Sequence, residues 1–160
     1  ERKASEIQKQ RIKEIESAAD RLVGKCKIMF VSSVNENGYP RTCCVSKLKD
    51  AGFRDLVFVT SKRSEKQGDK KMDRRIGTVS EVSGDRFKGK HLLSGGGDSL
   101  TLVGEVNFIT DRAEMQNLWN ENDKTFFPKG IDDPKIRFVH FHTLEATFWI
   151  NHKFRTVKYK

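Results

Sequence analysis

Residues 56–66, LVFVTSKRSEK, hold the residue types best suited to bind an anion. An apolar run is followed by the hydroxyls of Thr60, Ser61 and Ser64 and by basic side chains that include Lys66. If the run is a buried strand that leads into a helix, the free N–H groups of the helix, the hydroxyls and the ammonium groups point to one place. This arrangement favours phosphate. An ordinary strand-to-helix connection with a capping serine has the same pattern, so that interpretation stays open.

A second segment, RTCCVSK at residues 41–47, places two adjacent cysteines after Arg41. Successive side chains of a strand point to opposite faces, so Cys43 and Cys44 cannot readily hold one metal ion. We interpret both as small apolar side chains that pack in a barrel strand. Redox chemistry is the second interpretation, because nothing beyond the nearby Arg41 marks either thiol as activated.

The histidines of FVHFH raise the question of a metal ion. His140 and His142 share a strand face, which is compatible with a common ion. The spacing supplies no third ligand, and the chain has neither a CxxC nor an HExxH motif. We therefore predict no metal site and interpret the histidines as structural or surface residues.

The composition fits one domain with a heavily charged surface, since 36% of the 160 residues are hydrophobic and 33% are charged. The net charge of +9 comes from residues 61–90, at +5, and from the basic tail 151–160, at +4. Such a surface suits a phosphorylated ligand, an anionic membrane or nucleic acid, although a solvated face is the simpler explanation.

Two further features concern location. The longest apolar runs fall far short of the roughly 20 residues that a membrane helix needs, so we expect no membrane association. The three cysteines are an odd number and two are adjacent, which argues against a disulfide framework and favours a cytoplasmic protein.

The hydrophobic pattern predicts two or three helices and about six strands. The helices are expected at residues 4–23, 64–73 and 111–122, and the strands at 26–34, 39–49, 56–60, 76–82, 100–109 and 136–150, with a further strand in the tail. Asn37-Gly38 indicates a tight hairpin between the first two strands, which disfavours a parallel doubly wound sheet. We predict a mainly β fold, a closed or nearly closed antiparallel barrel with helices outside, formed by one domain over residues 1–160.

Five segments occur in a recognisable order: VNENGYPRT, VFVTSKRSEK, GGDSLTLVGEVNFITD, LWNENDKTFFPKGIDDP and LEATFWI. With them the chain resembles the pyridoxamine 5′-phosphate oxidase-like family of FMN-binding split barrels, and within it the general stress protein branch. The resemblance covers most of the chain. It implies a split β-barrel and a homodimer that holds FMN at the subunit interface.

The resemblance also implies a set of site residues. One strand would line the flavin, partly through backbone groups, and the next strand end and helix start would hold the ribityl chain and phosphate. The implied cofactor-binding residues are Arg41, Thr42, Cys43, Cys44, Val45, Val59, Thr60, Ser61, Ser64, Lys66, Ser99 and Trp149. Arg155 falls where the oxidase places an arginine for the substrate's phosphate.

Two positions depart from the family pattern. The phosphate-binding arginine of the lining strand is Cys43 here, and an arginine beside the matched lysine is Glu65. Each charge-assisted hydrogen bond is worth about 1.5–3 kcal/mol, so losing both would weaken FMN binding by about 10²–10⁴-fold. Arg41 lies two residues before Cys43 and shares its strand face, so we predict that it replaces the missing cation.

The function implied is that of a flavin-dependent oxidoreductase that transfers electrons to a small substrate or to oxygen. No general acid or base stands out, so no catalytic residue is predicted. A non-catalytic stress protein that binds flavin, deazaflavin or haem is the first alternative. A binder of anions or nucleic acid that uses the basic segments is the second, with nucleic acid the less favoured partner.

Overall fold

The computed structural model describes residues 2–34, 38–61, 77–80 and 97–159. In chain order the elements are α1 (Arg2–Lys25), β1 (Ile28–Val34), β2 (Pro40–Asp50), β3 (Asp55–Ser61), β4 (Gly77–Ser80), β5 (Ser99–Ile109), α2 (Arg112–Leu118), the 3₁₀ helices η1 (Glu121–Thr125) and η2 (Gly130–Asp132), β6 (Ile136–Ile150) and β7 (Lys153–Lys158). The helix predicted at residues 64–73 lies outside the described residues. The helix predicted at 111–122 is shorter, because α2 ends before Trp119 and η1 follows it.

The described strands form one antiparallel sheet in the order β3-β2-β1-β4-β5-β6-β7. β3 also pairs with β6, which closes β1 to β6 into a barrel. The predicted mainly β barrel with helices outside is confirmed. The tail adds a seventh strand, β7, joined to β6 by a two-residue turn at Asn151 and His152, both with positive φ.

The long strand β6 changes its hydrogen-bonding partner along one edge. One edge of β6 pairs first with β3 and then with β7, so β3 and β7 lie end to end along it. Thr143 is fully buried at the change of partner, where its N–H donates to the carbonyl of Arg54 (2.8 Å) and its Oγ1 donates to that of Phe53 (2.7 Å). The edge of β6 therefore stays hydrogen-bonded between its two neighbours.

The other edge of β6 pairs with β5 along almost its whole length, with an irregularity between Val103 and Gly104. A Cβ on Gly104 would lie 2.1 Å from the carbonyl oxygen of His142 and 2.6 Å from Cζ of Phe141. Real Cβ atoms do not approach backbone this closely, so the strands can take this course only with glycine at position 104.

Two apolar clusters hold the structure together. The first fills the barrel and includes Met29, Phe58, Leu102 and Phe148, and the end of α1 packs on it through residues such as Val23. The first half of α1 is exposed, so the apolar stripe predicted over residues 4–23 packs only in its second half. No helix within the described ranges is both long and apolar enough to cross a membrane.

The second cluster lies outside the barrel wall. Val59, Phe127, Ile136 and Phe138 form its buried centre, and side chains from α2 and η2 pack around them. This cluster attaches the segment from α2 to η2 to the outer face of β3 and of the first part of β6.

The interpretation of Cys43 and Cys44 as packed fillers is wrong, since both are exposed while Cys26 is buried in the barrel core. Cys43 lies opposite Val31 and Cys44 opposite Phe30, and the buried side chain of this part of β2 is Val45. Both cysteines are therefore exposed, although Val31, opposite Cys43, is still buried in the barrel core.

Candidate functional site

The first group of predicted cofactor residues lies on β2 and β3. Ser46 is opposite Val59 in the β2–β3 ladder, so Val45 of one strand and Thr60 of the next are neighbours. The side chains of Val45 and Val59 are buried in the two apolar clusters, so a ligand can meet these two residues only through their backbone groups.

The polar members of this group remain accessible. Thr60 and Ser61 are partly buried at the end of β3, and Thr42 and Cys44 are exposed on β2. Thr42 Oγ1 lies 2.8 Å from Ser32 Oγ on the neighbouring strand. Partial burial raises the pKa of the Cys44 thiol, which makes this thiol less nucleophilic at neutral pH than an unperturbed one.

Three predicted residues of this region lie partly or wholly outside the described residues. The backbone of Arg41 belongs to β2, but its side chain is not among the described groups. Ser64 and Lys66 lie outside the described residues. The predicted phosphate contacts of these residues therefore stay predictions.

The second group lies where β5, β6 and β7 run side by side. Ser99 is directly opposite Trp149, and Trp149 is directly opposite Phe154. The two rings are 6.4 Å apart between centroids, and they are 42% and 68% exposed, respectively. Beside them Thr147 and Thr156 join their hydroxyls at 2.9 Å. This outer surface, which we call the aromatic face, combines an exposed ring pair with hydroxyl groups.

Arg155 does not belong to the aromatic face. It is opposite Phe148, which is fully buried, and adjacent residues of a strand point to opposite sides. The side chain of Arg155 is partly buried on the inner side of β7. Its predicted contact with a substrate's phosphate stays a prediction.

The two groups occupy different parts of the barrel wall. The first group lies on β2 and the end of β3, and β3 is a direct neighbour of β6, which carries Trp149. Thr60 is opposite Arg137 at the start of β6, whereas Trp149 lies near its end, roughly 40 Å further along the strand at about 3.3 Å per residue. The two groups are therefore far apart along the wall within one chain.

A buried carboxyl group that sequence reasoning missed lies beside the first group. Asp123 of η1 is 5% exposed, and its side chain accepts a hydrogen bond from Ser46 of β2. Its Oδ2 atom is buried and has no hydrogen-bond partner in the part of the chain that the structure describes. Burial raises the pKa of Asp123, against the opposing effect of the Ser46 hydrogen bond. The surrounding sequence, NENDKTFF, gives no signal for burial of this residue.

The histidines form a cluster with a residue of β3. Asp55 Oδ1 lies 2.8 Å from His142 Nδ1 and 3.1 Å from His140 Nε2. Partial burial acts to raise the pKa of Asp55, but the hydrogen bonds and charges of His142 and His140 outweigh it and lower the pKa. Within the described ranges no three His, Cys, Asp or Glu residues are arranged to hold a metal ion.

A surface pocket of about 310 Å³ lies between α2, η1 and η2. Its lining residues are Gln116, Trp119, Glu121, Lys124, Pro128, Lys129, Gly130 and Ile131. None of the predicted cofactor residues contributes to it. Lys124 and Trp119 Nε1 both bond to the carboxylate of Glu121, which leaves the polar rim of this pocket largely satisfied.

Comparison with known proteins gives one family and a set of similar structures. A family model described as pyridoxamine 5′-phosphate oxidase like matches residues 21–159. A protein from Clostridium acetobutylicum related to general stress protein 26 of Bacillus subtilis is 26% identical, with a TM-score of 0.69 over 91% of this chain and 94% of that one. The comparison with curated proteins found no match.

Two other structures share the fold at lower identity. The general stress FMN/FAD binding protein from Xanthomonas citri is 21% identical, with a TM-score of 0.60 over 92% of this chain and 96% of that one. A haem binding protein from Mycobacterium smegmatis is 13% identical, with a TM-score of 0.65 over 90% of this chain and 57% of that one.

Proposed function

Because the chain belongs to the pyridoxamine 5′-phosphate oxidase-like family, we propose that it is an FMN-binding oxidoreductase that works as a homodimer and reduces a small substrate or oxygen. The observation that carries this proposal is the division of the predicted cofactor residues into two groups on different parts of the barrel wall. In this proposal each chain contributes one half of two separate sites, and each half becomes complete only when it meets the other half from a second chain.

A second copy of the chain would bring the two groups of residues together. In a dimer with twofold symmetry, the aromatic face of one protomer can lie against the end of β3 in its partner, and the symmetric contact forms a second site. The exposed rings of Trp149 and Phe154 would then be covered. Exposed aromatic side chains in a polar surrounding are typical of surfaces that bind a partner or a ligand.

The described residues fit a flavin in chemical type. The rings of Trp149 and Phe154 offer an apolar surface for a planar ring system, and Ser99 adds a hydroxyl beside them. Thr60 offers a hydroxyl at the other half-site, suited to a polyol and phosphate chain, and Ser61 follows it on the opposite face of β3. Bound FMN would supply the electron transfer, while the protein holds and orients it. The naming of the Xanthomonas citri relative as an FMN/FAD binding protein supports the choice of flavin.

Flavin titration tests the proposal. The purified protein should quench the fluorescence of added FMN and acquire a flavin absorption band, whereas a Soret band would indicate haem instead. Lys66→Ala should weaken FMN more than riboflavin, which lacks the phosphate, by about 10- to 100-fold for a charge-assisted bond. Lys158→Ala, which removes an exposed lysine of β7, is the matched control and should change neither affinity. Failure of both flavins to bind the wild-type protein would refute the proposal.

Subunit complementation tests the shared site directly. Lys66→Ala and Trp149→Ala should each bind FMN weakly, but a mixture refolded together forms heterodimers with one intact site. With random pairing, about a quarter of the wild-type sites should return. A mixture that binds no better than its components would show that Lys66 and Trp149 do not contact the same ligand from opposite protomers.

A further inference from the structure

We infer that Asp98 is a positioning residue for the aromatic face: its carboxylate holds the turn between β6 and β7 in the conformation that keeps Trp149 and Phe154 paired on one surface. The use of this surface by a flavin ring rests on the proposed function. Asp98 is not among the site residues that the family resemblance implies, and it acts through the backbone of the turn rather than on the ligand.

The turn between β6 and β7 has an unusual sequence for its conformation. Asn151 and His152 adopt positive φ, at 50° and 62° respectively. Positive φ brings Cβ close to the backbone carbonyl, so the second residue of such a two-residue turn is usually glycine. Asparagine tolerates this conformation comparatively well, whereas His152 has no such advantage. The local sequence therefore favours the turn only weakly, which makes a contact from outside the turn important.

Asp98 supplies a contact of this kind from the neighbouring strand. Its Oδ1 atom accepts a hydrogen bond of 2.9 Å from the backbone N–H of Asn151. The β5–β6 ladder ends with Ser99 opposite Trp149, so Asp98 is the first residue beyond the ladder. Its carboxylate thus continues the pairing of β5 with β6 where the backbone pairing stops, and it joins the turn to the residue before Ser99.

The ring pair lies one residue pair away from this turn. Ile150 is opposite Lys153 next to the turn, and Trp149 is opposite Phe154 after that. The turn of a hairpin fixes the register of its strands, and a slip of one residue moves every side chain of a strand to its other face. A slip of β7 would therefore take the ring of Phe154, now 6.4 Å from that of Trp149, to the inner side. By holding the turn, Asp98 keeps both rings on the aromatic face.

Flavin titration of Asp98 variants tests the inference. Asp98→Ala should weaken FMN and riboflavin by the same factor, about 3- to 10-fold for one hydrogen bond, because the two flavins share the ring system. Lys66→Ala should instead discriminate between them. Asp98→Asn keeps one acceptor oxygen, so its loss should be smaller. His152→Gly gives the turn the residue that suits it, and should restore most of the affinity in the Asp98→Ala background.

Asp133→Ala is the matched control. Asp133 Oδ1 accepts a hydrogen bond of 3.0 Å from the N–H of Lys135, so this variant also removes a carboxylate that bonds to backbone. Asp133 precedes β6, at the end of that strand away from Trp149. The control should therefore change the affinity for neither flavin.

Tryptophan fluorescence tests the role of the turn without a flavin. In a Trp119→Phe background, Trp149 is the single tryptophan of the chain. Acrylamide should quench its emission more strongly when Asp98→Ala is added, because the ring pair is then held less firmly. His152→Gly should reverse this increase.

The outcomes separate this inference from the proposed function. Unchanged flavin affinity of Asp98→Ala, unequal losses for FMN and riboflavin, or no recovery with His152→Gly would each overturn the inference while flavin binding by the wild type stands. Absence of flavin binding by the wild type would overturn the proposed function alone. Unchanged quenching of Trp149 in the Asp98→Ala variant would in that case overturn the inference as well.

Discussion

Substituting Phe154 should dissociate the proposed dimer. Phe154 is 68% exposed on the aromatic face. With about 200 Å² for a phenylalanine side chain, about 140 Å² would be available for burial against a partner. Alanine would retain part of that area, so about 100 Å² of apolar burial is lost per protomer, or about 2.5 kcal/mol. A symmetric interface contains the residue twice, which gives about 5 kcal/mol. The dissociation constant of the dimer should therefore rise by about 10³–10⁴-fold.

Sedimentation velocity over a dilution series measures this constant. The matched control is Phe126→Ala, because Phe126 is 72% exposed but follows η1 and lies off the aromatic face. We expect a dimer for the wild type and for the control, and a monomer for Phe154→Ala at micromolar concentration. A monomeric wild type with and without FMN, or equal shifts for the two variants, would refute the assignment of the aromatic face to the dimer interface.

Three further predictions concern single sites. Arg41→Ala should cost about 1.5–3 kcal/mol of FMN affinity, and Cys43→Arg should recover most of that loss in the Arg41→Ala background. Fluorescence titration of the four proteins forms a double-mutant cycle. If the two changes in binding free energy simply add, Arg41 does not replace the cation missing at Cys43. Gly104→Ala should lower the free energy of unfolding in urea by roughly 3 kcal/mol because its Cβ meets the carbonyl of His142, and a loss below about 1 kcal/mol would show that the strands can separate there. The lowered pKa of Asp55 means that its ionised form stabilises the fold above about pH 4, and that this contribution disappears as the pH falls through the folded-state pKa. Asp55→Asn should therefore lower the free energy of unfolding near pH 7 but not near pH 2. An equal loss at both pH values would exclude the ionic contribution.

The elements that sequence analysis located well are those with a strong local period. β1, β2, β3 and β5 lie within one or two residues of their predicted positions because apolar and β-branched runs end at clear turn signals. β6 occupies its predicted range and β7 lies in the tail, where a further strand was predicted, but the turn between them carries no glycine signal. The two turn residues between β6 and β7, Asn151 and His152, both adopt positive φ. In such a two-residue turn the second residue is usually glycine.

The identity of the two strands that close the barrel, and the burial of single polar residues, could not be read from local patterns. The pairing of β3 with β6 joins residues as far apart as Asp55 and His142, and no spacing in the sequence encodes that contact. Asp123 shows the same limit, since an acidic residue in a polar segment is normally exposed. The cysteines of β2 show the converse, because strand alternation puts Cys43 on the same face as Val45 but does not indicate that Cys43 is exposed while Val45 is buried.

The β3–β6 contact also leads us to expect that closure of the barrel is a late step of folding. β1, β2 and β3 are joined by short connections and can assemble early, yet the second edge of β3 has no partner until residues 136–142 arrive. Until then the chain carries an apolar strand edge of the kind that recruits other strands. Folding dominated by such non-local pairing takes milliseconds to seconds rather than microseconds. Refolding followed by intrinsic tryptophan fluorescence should therefore be slow, and its yield should fall as protein concentration rises.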